Sequence, residues 1–121
     1  MKILIIDDEE DNRQVAALSM SLVGGFEVIE ADGGMSGVAL AESEKPDVIL
    51  LDYVMPNMDG MQTLAALRAN PQTANIPVIF LSTRSLQVRQ DELMALGARG
   101  ILQKPFNPES LPRLIREIAG I

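Results

Sequence analysis

The sequence of 121 residues contains no cysteine and no histidine. Without cysteine the chain has no disulfide, no thiolate nucleophile and no zinc–thiolate site. Without histidine it has no imidazole base, which excludes a catalytic mechanism of the Ser-His or Cys-His type. The most familiar routes to covalent hydrolysis are therefore closed to this chain.

Positive charge and long apolar segments are also scarce. Lys and Arg number 10 against 17 Asp and Glu, which gives a net charge of −7, whereas a nucleic-acid surface needs clustered Lys and Arg. No segment approaches the roughly 18 apolar residues of a membrane span, and the N-terminal apolar run is too short for a signal peptide. We therefore expect a cytoplasmic protein that binds neither nucleic acid nor membrane, with one domain over residues 1–121.

Five short apolar runs divide the chain at regular intervals. They are Ile3–Ile6, Phe26–Ile29, Val48–Leu51, Val78–Leu81 and Ile101–Leu102. Most are continuous rather than alternating, as in strands that are covered on both faces by helices. The segments between them have helical periodicity, so the pattern predicts five βα units in a single doubly wound α/β domain with a parallel sheet.

Two helical segments carry specific expectations. In the first, one predicted face gathers Val15, Leu18, Ser19 and Leu22, and in the last, another gathers Leu111, Leu114, Ile115 and Ile118. Pro112 interrupts the last segment, and a proline in a helix interior costs about 3 kcal/mol. We therefore expect either a kink at Pro112 or a helix that begins near Ser110.

Charged and polar residues follow four of the five runs. Asp7 and Asp8 follow the first run, Asp52 the third, Ser82 the fourth and Lys104 the fifth. In open α/β sheets ligands bind beyond the carboxyl ends of the strands, so we expect these side chains to meet. Carboxylates held together repel one another unless a cation lies among them, which predicts a divalent-metal site that serves phosphate chemistry or structure.

Each of these residues alone has a simpler explanation. Asp7 and Asp8 would suit a solvated loop or a helix N-terminus, and Asp52 a turn. Lys104 alone would be a surface lysine, and Ser82 would satisfy a strand end. Their occurrence together, at strand ends of the same polarity, favours a shared site.

With these residues in hand, the chain resembles a bacterial response-regulator receiver domain over its whole length. The motifs that carry the resemblance are Asp7-Asp8, the stretch 52–60 (D-x-x-M-P-x-x-D-G), Ser82, Gly97-Ala98 and Lys104-Pro105-Phe106. The resemblance implies a flavodoxin-like (βα)5 fold, with a five-stranded parallel sheet of order 2-1-3-4-5. It also implies a role in two-component signal transduction.

The resemblance assigns roles to individual residues. Asp52 would be the nucleophile that accepts a phosphoryl group from a sensor histidine kinase, a phosphotransfer protein or a small acyl phosphate. Mg²⁺ would be bound by Asp8, Asp52 and the backbone carbonyl of Val54, and by Asp7 through water. Lys104 and Ser82 would contact the phosphoryl oxygens, and the amide of Tyr53 would add a donor. Such a protein is not an enzyme in the usual sense, because it catalyses only its own phosphorylation and dephosphorylation.

Switching would follow from the added charge, which draws Ser82 inward and changes the surface of helix four, strand five and helix five. That surface would bind an output protein or domain that these residues do not specify. Helix four has few apolar anchors, namely Leu86, Leu93 and Met94. A weakly anchored helix is a plausible moving part, although the same pattern fits an ordinary exposed helix.

The chain departs from the family at several positions around the site. Ile101 stands where many members have an aromatic residue, so we expect transmission through the backbone or helix four. Thr83 stands where many members have alanine. Val54 and Arg84 flank the phosphate mouth, and because Val54 cannot polarise water, we expect slow loss of phosphate.

Other functions fit the residues less well. A phosphatase of the haloacid-dehalogenase kind also uses Asp, a hydroxyl, Lys and Mg²⁺, but it places a D-x-D nucleophile on the first strand. A flavodoxin is disfavoured by one Tyr, no Trp and a carboxylate-lined mouth that repels a flavin phosphate. A phosphorylation-independent interaction module remains as the third alternative, although such proteins usually lack an acid or the lysine.

Overall fold

The computed structural model describes residues 1–82 and 90–121, and it contains a five-stranded parallel sheet. The strands are β1 (Lys2–Ile6), β2 (Glu27–Ala31), β3 (Val48–Asp52), β4 (Val78–Ser82) and β5 (Gly100–Gln103). Their order is β2-β1-β3-β4-β5, which confirms the predicted flavodoxin-like sheet. Each strand lies within two residues of the apolar run that predicted it.

A helix follows each strand. The helices are α1 (Glu10–Leu18), which continues as a π-helical turn over Ser19–Val23, α2 (Gly34–Glu44), α3 (Gly60–Ala69), α4 (Gln90–Ala95) and α5 (Leu111–Ala119). Helices α1 to α4 connect successive strands, and α5 follows β5. None of the helices in residues 1–82 and 90–121 has the length and apolar composition of a membrane span.

The sheet separates two apolar cores, because successive side chains of a strand point to opposite faces. One core packs Leu4, Leu51 and Phe80 against the α2–α4 side, where Leu64 and Leu93 are buried. The other core packs the intervening strand residues against α1 and α5. Burial on both faces explains why the strands read as continuous apolar runs.

The prediction of which residues form the buried face of the first helix is wrong. Val15, Leu18 and Leu22 are 45%, 59% and 79% exposed, and of the four predicted residues only Ser19 is buried. The sheet is contacted instead by Ala16 and Met20. Bulky residues dominate a periodicity argument, but the small Ala16 allows close helix–sheet packing, and the π-helical turn changes the angular spacing only from Ser19 onward.

Of the two expectations for Pro112, the one confirmed is a helix that begins near Ser110. Helix α5 begins at Leu111, and Pro112 is the second helical residue, with Ser110 at the N-cap. The first N–H groups of a helix have no partner within it, so a proline there removes no helical hydrogen bond. The predicted apolar face of this helix is also confirmed, since Leu111 and Ile115 are fully buried.

Candidate metal centre

Three carboxylates meet at the carboxyl edge of the sheet. Asp7 and Asp8 follow β1, Asp52 is the last residue of β3, and the two strands are paired neighbours. One carboxylate oxygen from each residue lies within 4.8 Å of the others. The predicted convergence of these acids is what the structure contains, because parallel neighbours end at the same edge.

The acid cluster suits a divalent cation of the Mg²⁺ type. Asp7 and Asp52 are only 2% and 6% exposed. Oδ1 of Asp8 is buried and, among the residues that the structure describes, has no hydrogen-bond partner. A buried carboxylate oxygen without a partner is costly, and a hard cation that prefers oxygen ligands would satisfy it. The donor set therefore fits the ion.

Lys104 brings a positive charge to the same cluster. Its Nζ lies 3.0 Å from Oδ1 of Asp52 and 3.4 Å from Oδ2 of Asp7. Its backbone N–H donates to the carbonyl of Ser82 at 2.8 Å, which fixes the lysine next to the end of β4. Burial opposes its charge, but the hydrogen bond and charge of Asp52, together with Asp7, outweigh burial and raise the pKa of Lys104.

Asp52 is the carboxyl group whose charge is most affected by the site. Burial raises the pKa of Asp52 from 3.8 to about 6, the hydrogen bond from Lys104 opposes that rise, and the charges of Asp7 and Asp8 add to it. At pH 7 the group is therefore still mostly ionised, but it lies close to titration. The carboxylate is available as a nucleophile without a protein base.

A cavity of about 370 Å³ opens over Asp52. Its lining residues are Glu9, Asn12, Asp52, Val54, Ser82 and Lys104. Ser82 is 3% exposed, whereas Val54 is 64% exposed and stands at the mouth. Ile101 pairs with Phe80 in the sheet and is half-buried against the core. It does not line this cavity. Thr83, Arg84 and Leu86 lie outside the described residues.

The Tyr53 amide, expected to donate to a phosphoryl group, already has a main-chain partner. Its N–H donates to the carbonyl of Leu81 at 3.2 Å, which extends the β3–β4 ladder by one bond. The ring packs against Phe80 at a centroid distance of 6.0 Å. An amide that already pairs with a neighbouring strand is not a free donor for a ligand in this state.

The loop after Asp52 is held in place by contacts of Asp59 and Gly60, the last two residues of the 52–60 motif. A Cβ atom added to Gly60 would lie 2.7 Å from the Cα of Tyr53 and 2.9 Å from the carbonyl oxygen of Asp52. Asp59 caps α3 through the amide of Gln62, and the Gln62 side chain accepts from the amide of Asp59. This capping box and the close approach at Gly60 explain the D-G pair that ends the motif.

Three residues near the site were not predicted. Glu9 and Asn12 line the cavity and pair with each other at 2.9 Å. Arg13 donates from Nη1 to the carbonyl of Asp7, also at 2.9 Å. Their position within six residues of Asp7, at the start of a helix that follows the strand, is the signal that would have pointed to them.

The fold and site together define a flavodoxin-like α/β domain with an acidic, lysine-bearing pocket at the carboxyl ends of its strands. The family model described as response regulator receiver domain matches residues 3–116. The chain belongs to that family, as the motifs predicted.

Known relatives agree with this assignment. Protein PilH of Pseudomonas aeruginosa is 37% identical over 117 residues, which cover 97% of this chain and 96% of PilH. Chemotaxis protein CheY4 of Vibrio cholerae superposes with a TM-score of 0.90 at 34% identity, over 97% of both chains. A receiver domain from a sensor histidine kinase of Pseudomonas aeruginosa, with magnesium coordinated in its active-site cleft, has a TM-score of 0.87 at 28% identity, over 99% of this chain and 98% of that one.

Other curated relatives are longer. The chain spans about half the length of several transcriptional regulators that it matches, with coverage of 50% and 48%.

Proposed function

We propose that residues 1–121 form a cytoplasmic receiver domain in which Asp52 accepts a phosphoryl group in an Mg²⁺-dependent reaction. The donor would be a sensor histidine kinase, a phosphotransfer protein or a small acyl phosphate. The observation that carries this proposal is the ion pair of 3.0 Å between Lys104 and Asp52, inside a cluster with two further carboxylates. A purely structural acid cluster has no need of a nucleophile that opens into a cavity.

The chemistry follows from the groups that face the cavity. The carboxylate of Asp52 attacks phosphorus, a new O–P bond forms, and the bond from phosphorus to the donor's imidazole nitrogen or acyl oxygen breaks with its electron pair. Phosphoryl transfer concentrates charge on the three equatorial oxygens. Lys104 lies on the same carboxylate and can stabilise that charge, and the Ser82 hydroxyl supplies a hydrogen bond.

Asp8, Asp52 and the carbonyl of Val54 would hold the Mg²⁺ ion, with Asp7 acting through water. The ion would neutralise the acid cluster and the developing charge on the phosphoryl oxygens. Oδ1 of Asp8, which has no hydrogen-bond partner among residues 1–82 and 90–121, supports this assignment, as does the magnesium in the related receiver domain.

Signal output would begin at Ser82 and Lys104, because the backbone of one donates to the backbone of the other. A phosphoryl group on Asp52 would recruit both side chains and bias the surface formed by α4, β5 and α5 toward a second state. Ile101 is half-buried in the core, so transmission would use the backbone rather than an aromatic side chain. Thr83, Arg84 and Ile101 are proposed to tune this switch.

Intact-mass analysis after incubation with acetyl phosphate and Mg²⁺ tests the proposal. The wild-type chain should gain one phosphoryl group, and Asp52→Ala should gain none. Asp11→Asn is the matched control, because Asp11 is an exposed aspartate of the same acidic run. Absence of any gain would contradict the proposal and favour a phosphorylation-independent interaction module. Steady hydrolysis of external phosphate esters would instead favour a phosphatase.

A further inference from the structure

Arg13 lies in the first part of α1, between the edge strand β2 and the acid cluster. Its Nε donates to Oε1 of Glu30 at 3.2 Å, and its Nη1 donates to the backbone carbonyl of Asp7 at 2.9 Å. The side chain of Arg13 is 17% exposed, and that of Glu30 is 41% exposed. One guanidinium therefore connects the sheet edge to the main chain at the metal centre.

The Arg13 contact completes the fixation of the Asp7 backbone. The N–H of Asp7 donates to the carbonyl of Ala31 at 3.1 Å, and its carbonyl accepts from Arg13. The peptide that joins Asp7 to Asp8 is planar, so the direction of the Asp7 carbonyl also sets the position of the Asp8 Cα. The hydrogen bond from Arg13 therefore helps to fix the backbone from which the Asp8 side chain extends.

Arg13 reaches the site in a different way from Lys104. Lys104 contacts two carboxylates directly, and among the residues that the structure describes, the charges that shift the pKa of Asp52 are those of Lys104, Asp7 and Asp8. Arg13 contacts a neutral peptide group of the site instead. Its contribution is therefore one of orientation, and the planar fork of the guanidinium suits it to hold two acceptors at once.

We propose that Arg13, held in place by Glu30, is a positioning residue that directs the half-buried Asp8 carboxylate toward a divalent cation. This inference rests on the Mg²⁺ site of the proposed function. Outer-shell groups that orient metal ligands typically change metal affinity by about 10- to 100-fold when they are removed. Arg13 has that relation to Asp8, through one peptide unit.

Calorimetric titration of the full chain with Mg²⁺ alone tests the proposal. Arg13→Ala should weaken Mg²⁺ binding by about 10-fold. Arg13→Lys keeps the positive charge but loses the fork, so it should also weaken binding. Glu30→Ala releases the guanidinium and should act in the same direction with a smaller effect. Combining Glu30→Ala with Arg13→Ala should add nothing to Arg13→Ala, because both changes break one connected unit.

The matched control is Arg113→Ala. Arg113 forms an exposed ion pair with Glu117 within α5, at 3.3 Å, and should leave Mg²⁺ affinity unchanged. A kinetic readout separates positioning from a structural role. With acetyl phosphate, the Mg²⁺ concentration for half-maximal phosphorylation should rise in Arg13→Ala, while the rate at saturating Mg²⁺ should approach that of the wild type.

Unchanged Mg²⁺ affinity in Arg13→Ala, with only a lower thermal midpoint, would overturn the inference. Should Arg13→Ala fail to fold, Glu30→Ala decides the matter by the same criterion. A wild-type chain that binds no Mg²⁺ would remove the proposed function and this inference together. A wild-type chain that binds Mg²⁺ while both variants match it would remove this inference alone.

Discussion

The acid cluster has a cation on each side, and the two cations differ in what they contact. On the β5 side, Lys104 contacts the carboxylates of Asp52 and Asp7. On the β2 side, Arg13 contacts the carbonyl of Asp7 and is anchored by Glu30. The first arrangement compensates charge, and the second fixes geometry. A cation near an anionic site therefore need not act through its charge.

The largest effect should come from Lys104→Met. Loss of a charged group that stabilises a transition state typically costs about 10²- to 10³-fold in rate, so phosphorylation by acetyl phosphate should slow by that order. Mg²⁺ affinity should hold or rise, because a competing positive charge has left the carboxylates. Rapid-quench kinetics and calorimetry measure the two quantities.

Lys104→Met should thus lower the phosphorylation rate without weakening Mg²⁺ binding. Arg13→Ala should weaken Mg²⁺ binding and leave the rate at saturating Mg²⁺ near that of the wild type. Arg113→Ala again serves as the exposed control for loss of a cation. If Lys104→Met weakened Mg²⁺ binding as much as Arg13→Ala, the distinction between charge compensation and orientation would collapse.

The next effect concerns the ligand on which Arg13 is proposed to act. Asp8→Asn should weaken Mg²⁺ binding by about 100-fold or more, because Asp8 is proposed as a direct ligand, and a direct ligand contributes at least as much as its outer-shell partner. Adding Arg13→Ala to Asp8→Asn should then produce little further loss. Full additivity of the two changes would show that Arg13 acts on the metal by another route.

Although Asp8→Asn should weaken Mg²⁺ binding, it should stabilise the folded chain in the absence of metal. Asp8→Asn removes the charge from a carboxylate whose buried Oδ1 has no hydrogen-bond partner in the described part of the chain, and it reduces repulsion within the cluster. The midpoint of thermal unfolding in EDTA should therefore rise. A fall in that midpoint would indicate that the Asp8 charge has a stabilising partner.

A smaller effect should appear in the pH dependence of stability. Burial raises the pKa of Asp52 from 3.8 to about 6, so between these values the folded state binds more protons than the unfolded state. Stability from this group is then highest at low pH and falls as the pH rises toward 6. Asp52→Asn removes the titration, and Lys104 keeps Asp7 as a partner.

Urea unfolding in EDTA at several pH values measures this contribution. Asp52→Asn should match the wild type near pH 4 and exceed it by about 1–3 kcal/mol at pH 7, since one pKa unit corresponds to about 1.4 kcal/mol. A difference that is constant with pH would show that Asp52 is not the titrating group.

The contrast between α5 and α1 shows how far sequence reasoning reaches. The face of α5 was predicted because two of its bulky apolar residues, Leu111 and Ile115, are fully buried, and Pro112 indicated where the helix begins. The buried face of α1 was not predicted, because the small Ala16 provides the close contact while the bulkier Val15 and Leu18 are exposed. Periodicity weights residues by apolar size, whereas packing selects them by fit.

Some features of the site were predictable from the sequence and others were not. Asp7, Asp8, Asp52, Ser82 and Lys104 were predictable, because parallel strands end at one edge and each residue follows a strand. Arg13 and the Tyr53 amide were not, because each is defined by a hydrogen bond to a main-chain carbonyl, and every residue offers one. The side chains of the site were predictable from their positions after the strands, whereas hydrogen bonds to main-chain carbonyls required the three-dimensional structure.

The smallest predicted effect concerns a residue on neither side of the cluster. Val54 is 64% exposed at the mouth of the cavity, and its side chain has no polar atom that could orient water toward a phosphoryl group on Asp52. The phosphorylated chain should therefore lose phosphate slowly. Val54→Asn should accelerate the loss by about 2- to 10-fold, well below the 10²-fold or more of a true general base, because an amide orients water without deprotonating it.

Decay of the phosphorylated mass at fixed Mg²⁺ measures that lifetime, and Val54→Leu is the matched apolar control. A lifetime of seconds that Val54→Asn leaves unchanged would show that water is oriented by another group. Arg13→Ala at saturating Mg²⁺ should leave the lifetime as in the wild type, since the positioned cation is restored. The lifetime would then depend on the mouth of the cavity, and metal affinity on the β2 side of the cluster.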